Sequence, residues 1–105
     1  MITLLNTSIL TSFGSHVYEQ IDLAEAKAMV THNDWQSAIG HESTAWVISK
    51  LLSIDCPVNR ISYIQQPGDI ALVFKLNGRA QEGRIMSQDE IEAMGYTWGR
   101  LVRAS

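Results

Sequence analysis

The stretch SAIGHESTA, residues 37–45, combines residue types that bind phosphate and transfer protons. His41 follows Gly40 where a helical pattern begins. A glycine lets a ligand approach the backbone closely, and the N-terminus of a helix attracts anions. Histidine can act as a general acid near neutral pH. Ser43 and Thr44 add hydroxyl donors, so this stretch predicts a site that holds a phosphate and moves a proton.

Three arginines and one carboxylate outside this stretch are further candidates. Arg79, Glu82 and Arg84 lie in a polar, glycine-containing segment that suits a phosphate-binding flap, although this segment taken alone is better explained as an ordinary charged surface loop. The guanidinium group presents a fork of donors to phosphate oxygens, and Glu82 can orient a hydroxyl or accept its proton. Arg60 either contacts the same ligand or points to solvent, and the sequence leaves both interpretations open.

Small polar residues follow the first predicted strand. Asn6 and Ser8 come directly after an apolar run at residues 2–5. Such residues commonly bind local backbone in a turn. Open α/β sheets usually bind ligands at the C-terminal ends of their strands, so Asn6 and Ser8 are also candidate ligand contacts.

The chain lacks the spacing of known metal-binding motifs, and no second histidine follows His41 at i+4. It also lacks a P-loop and a GxGxxG motif, so we expect neither a metal nor a cofactor. A phosphodiester can still be cleaved without a metal if it is RNA, because the neighbouring 2′-hydroxyl attacks the phosphorus. The protein then aligns that hydroxyl, stabilises the phosphoryl oxygens and protonates the leaving 5′-oxygen.

Composition narrows the classes of function. The 105 residues predict one domain, residues 1–105, and a formal net charge of −3 disfavours a duplex DNA-binding protein. One cysteine, Cys56, cannot form an internal disulfide, which fits a reducing compartment. The N-terminus does not resemble a signal peptide, and no apolar run reaches membrane-spanning length. We therefore expect a cytoplasmic protein with no membrane partner.

The hydrophobic pattern predicts a compact α/β domain with a mixed sheet packed with helices. Predicted strands cover residues 2–5, 17–21, 59–64, 70–74 and 96–102, with 35–39 as a further candidate and 17–21 near an edge. Predicted helices follow Asp22, begin near His41 and follow Ser87, and the second ends before Cys56-Pro57.

Four blocks of the sequence resemble the viral ring nuclease family: residues 4–10 (LLNTSIL), 37–45 (SAIGHESTA), 57–61 (PVNRI) and 78–83 (GRAQEG). The block around Gly-His-Glu-Ser-Thr is the most specific. The resemblance implies a homodimer that encloses cyclic tetra-adenylate, the messenger of type III CRISPR defence, at its interface. It further implies cleavage without metal to linear di-adenylates with 2′,3′-cyclic phosphate ends, which shuts off the signal.

The same resemblance implies roles for individual residues. His41 corresponds to the general acid, Arg79 and Glu82 to the charged pair of a loop that closes over the ligand, and Arg60 to a ligand contact. Together with the considerations above, the expected catalytic residues are His41, Arg79 and Glu82, and the expected substrate-binding residues are Asn6, Ser8, Gly40, Ser43, Thr44, Arg60 and Arg84. The alternative hypothesis is a non-catalytic sponge or sensor that binds the cyclic nucleotide intact.

Overall fold

A five-stranded mixed sheet forms the centre of the computed structural model, which describes residues 1–7, 9–78 and 86–105. The strands are β1 (Ile2–Leu5), β2 (His16–Ile21), β3 (Trp35–Ser37), β4 (Ile70–Leu76) and β5 (Tyr96–Arg103). Their order across the sheet is β2-β5-β4-β1-β3. β1 runs parallel to β3 and β4, whereas β5 runs antiparallel to β4 and β2. The predicted compact α/β domain with a mixed sheet is confirmed, and β2 is an edge strand as predicted.

Three helices in the described part of the chain pack on one face of this sheet: α1 (Leu23–His32), α2 (Glu42–Leu52) and α3 (Gln88–Met94). Successive side chains of a strand point to opposite faces, so alternate strand residues meet the helices. The main core contains strand and helix residues such as Leu4, Leu72, Phe74, Trp98, Ala26, Ile48 and Ile91. The Phe74 ring lies 4.9 Å from the Trp98 ring, centroid to centroid.

The helix boundaries follow local sequence signals. Asp22 accepts a hydrogen bond from the backbone N–H of Glu25 at 2.8 Å, and Ser87 forms a full capping box with Glu90. Helix α2 is followed by Ser53 in a left-handed conformation with φ +56°, before Cys56-Pro57, as predicted. Among the described residues, no helix combines the length and apolar character that crossing a membrane requires.

Residues 53–69, here called the covering segment, lie between α2 and β4 and pass from one side of the sheet to the other. Cys56 is buried in the core on the helical side, whereas Tyr63 packs on the opposite face against the cluster that contains Leu5 and Val73. The predicted strand at 59–64 is wrong, because this part of the chain pairs with no strand of the sheet. Its backbone is bound instead by loops, for example Asn59 N–H to the Ile39 carbonyl at 2.8 Å.

Candidate active site at the start of helix α2

His41 is the N-cap residue of α2. Its backbone is extended, with φ −126° and ψ 131°, and its carbonyl accepts the first helical bond from Ala45 N–H at 3.0 Å. The side chain makes no capping hydrogen bond and is exposed. The imidazole is therefore not used to cap the helix. The N–H groups of the first turn have no partners within the helix, so they can bind an anion beside the ring.

Arg60 reaches this point from the covering segment. Its Nε donates a hydrogen bond to the Gly40 carbonyl at 2.8 Å. A Cβ added at Gly40 would lie 3.3 Å from Cγ of Arg60, so the absence of a side chain lets the arginine pack on the backbone. This bond uses one of the five guanidinium N–H donors, and the residue is exposed. The structure thus shows Arg60 both exposed and bonded to the residue that precedes His41.

Asn6 lies at the same edge of the sheet. β1 and β3 are parallel neighbours that end at Leu5 and Ser37, and Ala38 N–H donates to the Leu4 carbonyl at 3.0 Å just beyond their last pair. Asn6, half-buried, follows β1, and Gly40 follows β3 after two residues. Both therefore leave the C-terminal ends of adjacent parallel strands, where α/β proteins bind ligands.

Ser43 and Thr44 occupy the first turn of α2 and are both half-buried. The structure thus brings together six predicted site residues at one edge of the sheet, namely Asn6, Gly40, His41, Ser43, Thr44 and Arg60. The other four predicted site residues lie outside the described residues: Ser8, Arg79, Glu82 and Arg84.

Two polar residues with bonds at this site were not predicted from the sequence. Ser37 and Asn59 bind backbone groups of the two segments that carry His41 and Arg60. The sequence gives only a weak indication of these two residues. Ser37 stands among apolar residues at the end of a strand, and Asn59 precedes the candidate arginine.

Cys56 is not equipped to act as a nucleophile. It is buried, and burial is the main cause that raises the pKa of its thiol, partly offset by its contact with Ser37 and reinforced by the Asp55 charge. A raised pKa keeps the thiol protonated at neutral pH, whereas the thiolate is the reactive form. Within residues 1–7, 9–78 and 86–105, no group of three or more His, Cys, Asp or Glu side chains could hold a metal ion.

An open groove of about 580 Å³ runs along the outer side of α2. It is lined by the Trp46 ring and by the carboxylate-bearing residues Glu42 and Asp55, among others. These carboxylates oppose a phosphate ligand in the groove. Glu42 is also the first residue of α2, so the groove adjoins the helix start at that residue.

The fold and site define a small α/β protein with a histidine at a helix N-terminus and an arginine packed beside it. The chain belongs to the STIV B116-like family, whose model matches residues 2–98. It is 35% identical over 104 residues to the protein YddF of Bacillus subtilis (strain 168), covering 97% of this chain and 96% of that one. It is 30% identical over 101 residues to protein 26 of Sulfolobus islandicus filamentous virus (isolate Iceland/Hveragerdi), covering 91% and 86%.

A solved structure shares the fold. B116 of Sulfolobus turreted icosahedral virus superimposes with a TM-score of 0.82 at 23% identity, covering 97% of this chain and 98% of that one. The relatives of this chain thus include proteins of archaeal viruses and a bacterial protein.

Proposed function

We propose that this protein is a metal-independent ring nuclease. It binds cyclic tetra-adenylate at a homodimer interface and cleaves it to linear di-adenylates with 2′,3′-cyclic phosphate ends, which shuts off type III CRISPR signalling. The sequence resemblance described above supplies the substrate. The observation that carries the proposal is the 2.8 Å bond from Arg60 to Gly40, which holds a guanidinium beside His41 at the start of α2.

The chemistry uses the ligand's own nucleophile. The 2′-oxygen of one adenylate attacks the adjacent phosphorus, its proton passes to solvent water, and the bond from phosphorus to the 5′-oxygen breaks. His41, in its protonated form, gives a proton to the leaving 5′-oxygen. Arg60 and the N–H groups of the first turn of α2 stabilise the charge on the phosphoryl oxygens. By the family resemblance, Arg79 and Glu82 close over the ligand.

A group of exposed apolar residues supports a homodimer. They lie in two loop segments, the one that follows Asn6 and the one that follows Arg60: Ile9, Leu10, Phe13, Ile61 and Ile64. The segments are joined at Gln65, whose N–H donates to Thr11 Oγ1 at 2.9 Å and whose carbonyl accepts from Ser12 Oγ at 2.8 Å. Phe13 is 97% exposed. Large apolar side chains exposed in two connected segments favour association, so a second copy is their expected partner.

A twofold dimer also suits the ligand. Cyclic tetra-adenylate has four phosphates, and a twofold axis presents each protein group twice to opposite sides of the ring. Two copies of Arg60 then offset part of the ligand charge, although the chain itself carries a net charge of −3. Two copies of His41 address opposite phosphodiesters, which accounts for di-adenylate products.

Turnover of the ring tests the proposal directly. Purified protein is incubated with labelled cyclic tetra-adenylate in EDTA, and the products are separated by chromatography. Linear di-adenylates with cyclic phosphate ends are expected. Recovery of an intact, tightly bound ring would establish the sponge or sensor instead, and a ring that neither binds nor reacts would refute both.

Replacing Phe13 and Ile64 together by serine is expected to produce a monomer and to reduce ring cleavage. Both side chains are exposed in the single chain, so the loss of apolar contact should affect association rather than folding. Sedimentation equilibrium measures the change. Trp46→Ser is the control, because Trp46 is also an exposed apolar residue but lies in the groove along α2. A wild-type monomer that cleaves the ring at every concentration would contradict the dimer.

Arg60→Lys is expected to weaken ring binding about 10-fold or more, since hydrogen bonds to charged groups contribute about 1.5–3 kcal/mol. Lysine keeps the charge but loses the planar fork and the Nε bond to Gly40. Isothermal titration with the wild type and the variant measures the difference. Arg100→Lys is the matched control, because Arg100 pairs at 3.4 Å with Glu19 on β2. Equal affinity of wild type and Arg60→Lys would remove Arg60 from the site.

A further inference from the structure

Ser37 joins the two segments that carry the site. It is the last residue of β3 and only 2% exposed. Its hydroxyl donates to the Pro57 carbonyl at 2.6 Å and accepts from Ile39 N–H at 3.1 Å. One buried side chain thus binds the covering segment on one side and the backbone that leads into Gly40 on the other.

Asn59, in the covering segment, donates two hydrogen bonds to the backbone around Ser37. Its Nδ2 donates to the Ser37 carbonyl at 2.8 Å, and its backbone N–H donates to the Ile39 carbonyl at 2.8 Å. With the bond from Arg60 to Gly40, the carbonyls of Ser37, Ile39 and Gly40 all accept from the covering segment. These bonds connect the end of β3 and the residues after it to the covering segment, which is not a strand of the sheet.

The bonded residues lie close in the sequence to the two residues proposed to act on the phosphate. Ile39 is two residues before His41, and Asn59 directly precedes Arg60. These bonds therefore set the relative position of the two backbones that carry the imidazole and the guanidinium. A displacement of about 1 Å between groups that act on one phosphate can reduce a rate about 100-fold.

We infer that Ser37 and Asn59 are positioning residues that keep His41 and Arg60 aligned on one phosphodiester. This inference rests on the proposed function. Neither residue touches the phosphate, and each acts through the backbone that it binds.

Asn59→Ala tests the inference. We expect a reduction of kcat by about 10- to 100-fold with little change in KM, measured well below the thermal midpoint of the variant, because misalignment mainly affects the transition state. Asn33→Ala is the matched control: Asn33 Nδ2 also donates to a backbone carbonyl, that of Met29, at 2.9 Å, but at the end of α1. An Asn59→Ala enzyme with wild-type kcat would overturn the inference, as would an equal loss in both variants.

Asn59→Asp provides a second readout that a purely structural role would not produce. The carboxylate is nearly the same size but cannot donate to the Ser37 carbonyl, whereas its protonated form can. The activity of this variant relative to wild type is therefore expected to rise as the pH falls from about 6 to about 4, through the range in which carboxyl groups gain protons. A constant ratio across this range would count against the inference.

A measurement without ligand separates the inference from the proposed function. If the wild-type protein does not cleave the ring, the proposed function fails, but amide exchange still reports on the alignment. Faster exchange at Ile39 and shifted resonances at Gly40 and His41 in Asn59→Ala, absent in Asn33→Ala, would support the positioning. Unchanged exchange and resonances would overturn it.

Discussion

His41→Ala is expected to slow cleavage of cyclic tetra-adenylate by about 10²–10⁴-fold, the usual contribution of a general acid. Alanine cannot protonate the leaving 5′-oxygen. Binding should be retained, because Arg60 and the N–H groups of the first turn remain. Single-turnover cleavage in EDTA gives the rate, and titration gives the affinity.

His32→Ala is the control for this experiment. His32 is also exposed, but it ends α1 and takes no part in the site. We expect the His32→Ala variant to cleave the ring at the wild-type rate. If His41→Ala does so as well with EDTA present, the assignment of His41 as the general acid is wrong, whatever the protein binds.

Gln65→Leu is expected to lower the free energy of unfolding by about 2–5 kcal/mol, because each buried group left without its hydrogen bond costs about 1–3 kcal/mol. Gln65 is only 1% exposed, and its Nε2 donates to the carbonyls of Asp69 at 2.9 Å and Leu101 at 2.8 Å. Leucine cannot donate to either. The loss is large against a total stability of about 5–15 kcal/mol for a domain.

Urea unfolding measures this loss, and Gln66→Leu is the matched control. It is the same substitution at the next residue, which is exposed, so its effect should stay within about 0.5 kcal/mol. Equal unfolding midpoints for the two variants would show that the bonds of Gln65 are not needed to hold the covering segment on β5.

Most of the sheet and all three described helices could be predicted from the sequence, because their signals are local. The apolar run at 70–74 and the capping residues Asp22 and Ser87 each predict their element from a few neighbouring residues. The segment 59–64 could not be predicted correctly. Its length and hydrophobic pattern suit a strand. Asn59 and Arg60 instead bind the carbonyls of Ser37 and Gly40, about 20 residues earlier, and a local sequence pattern cannot predict such distant bonds.

The candidate site was predictable to a similar extent. The sequence predicts a helix that starts near Gly40 and His41, and His41 is the N-cap residue of α2 in the structure. The position of Arg60 depends on how the covering segment crosses the sheet edge, so the sequence could offer only two alternatives. The roles of Arg79 and Glu82 stay predictions that the family resemblance supports.

The strand order has a consequence for how the protein folds. β5 lies between β2 and β4, so β2 has no partner among the described strands until β5, the last of them in the sequence, is in place. β1 likewise pairs with β4, with Ile2 opposite Ile70. Such long-range pairing slows folding and leaves strand edges open in intermediates. During synthesis, therefore, the sheet can be completed only after β5 has left the ribosome.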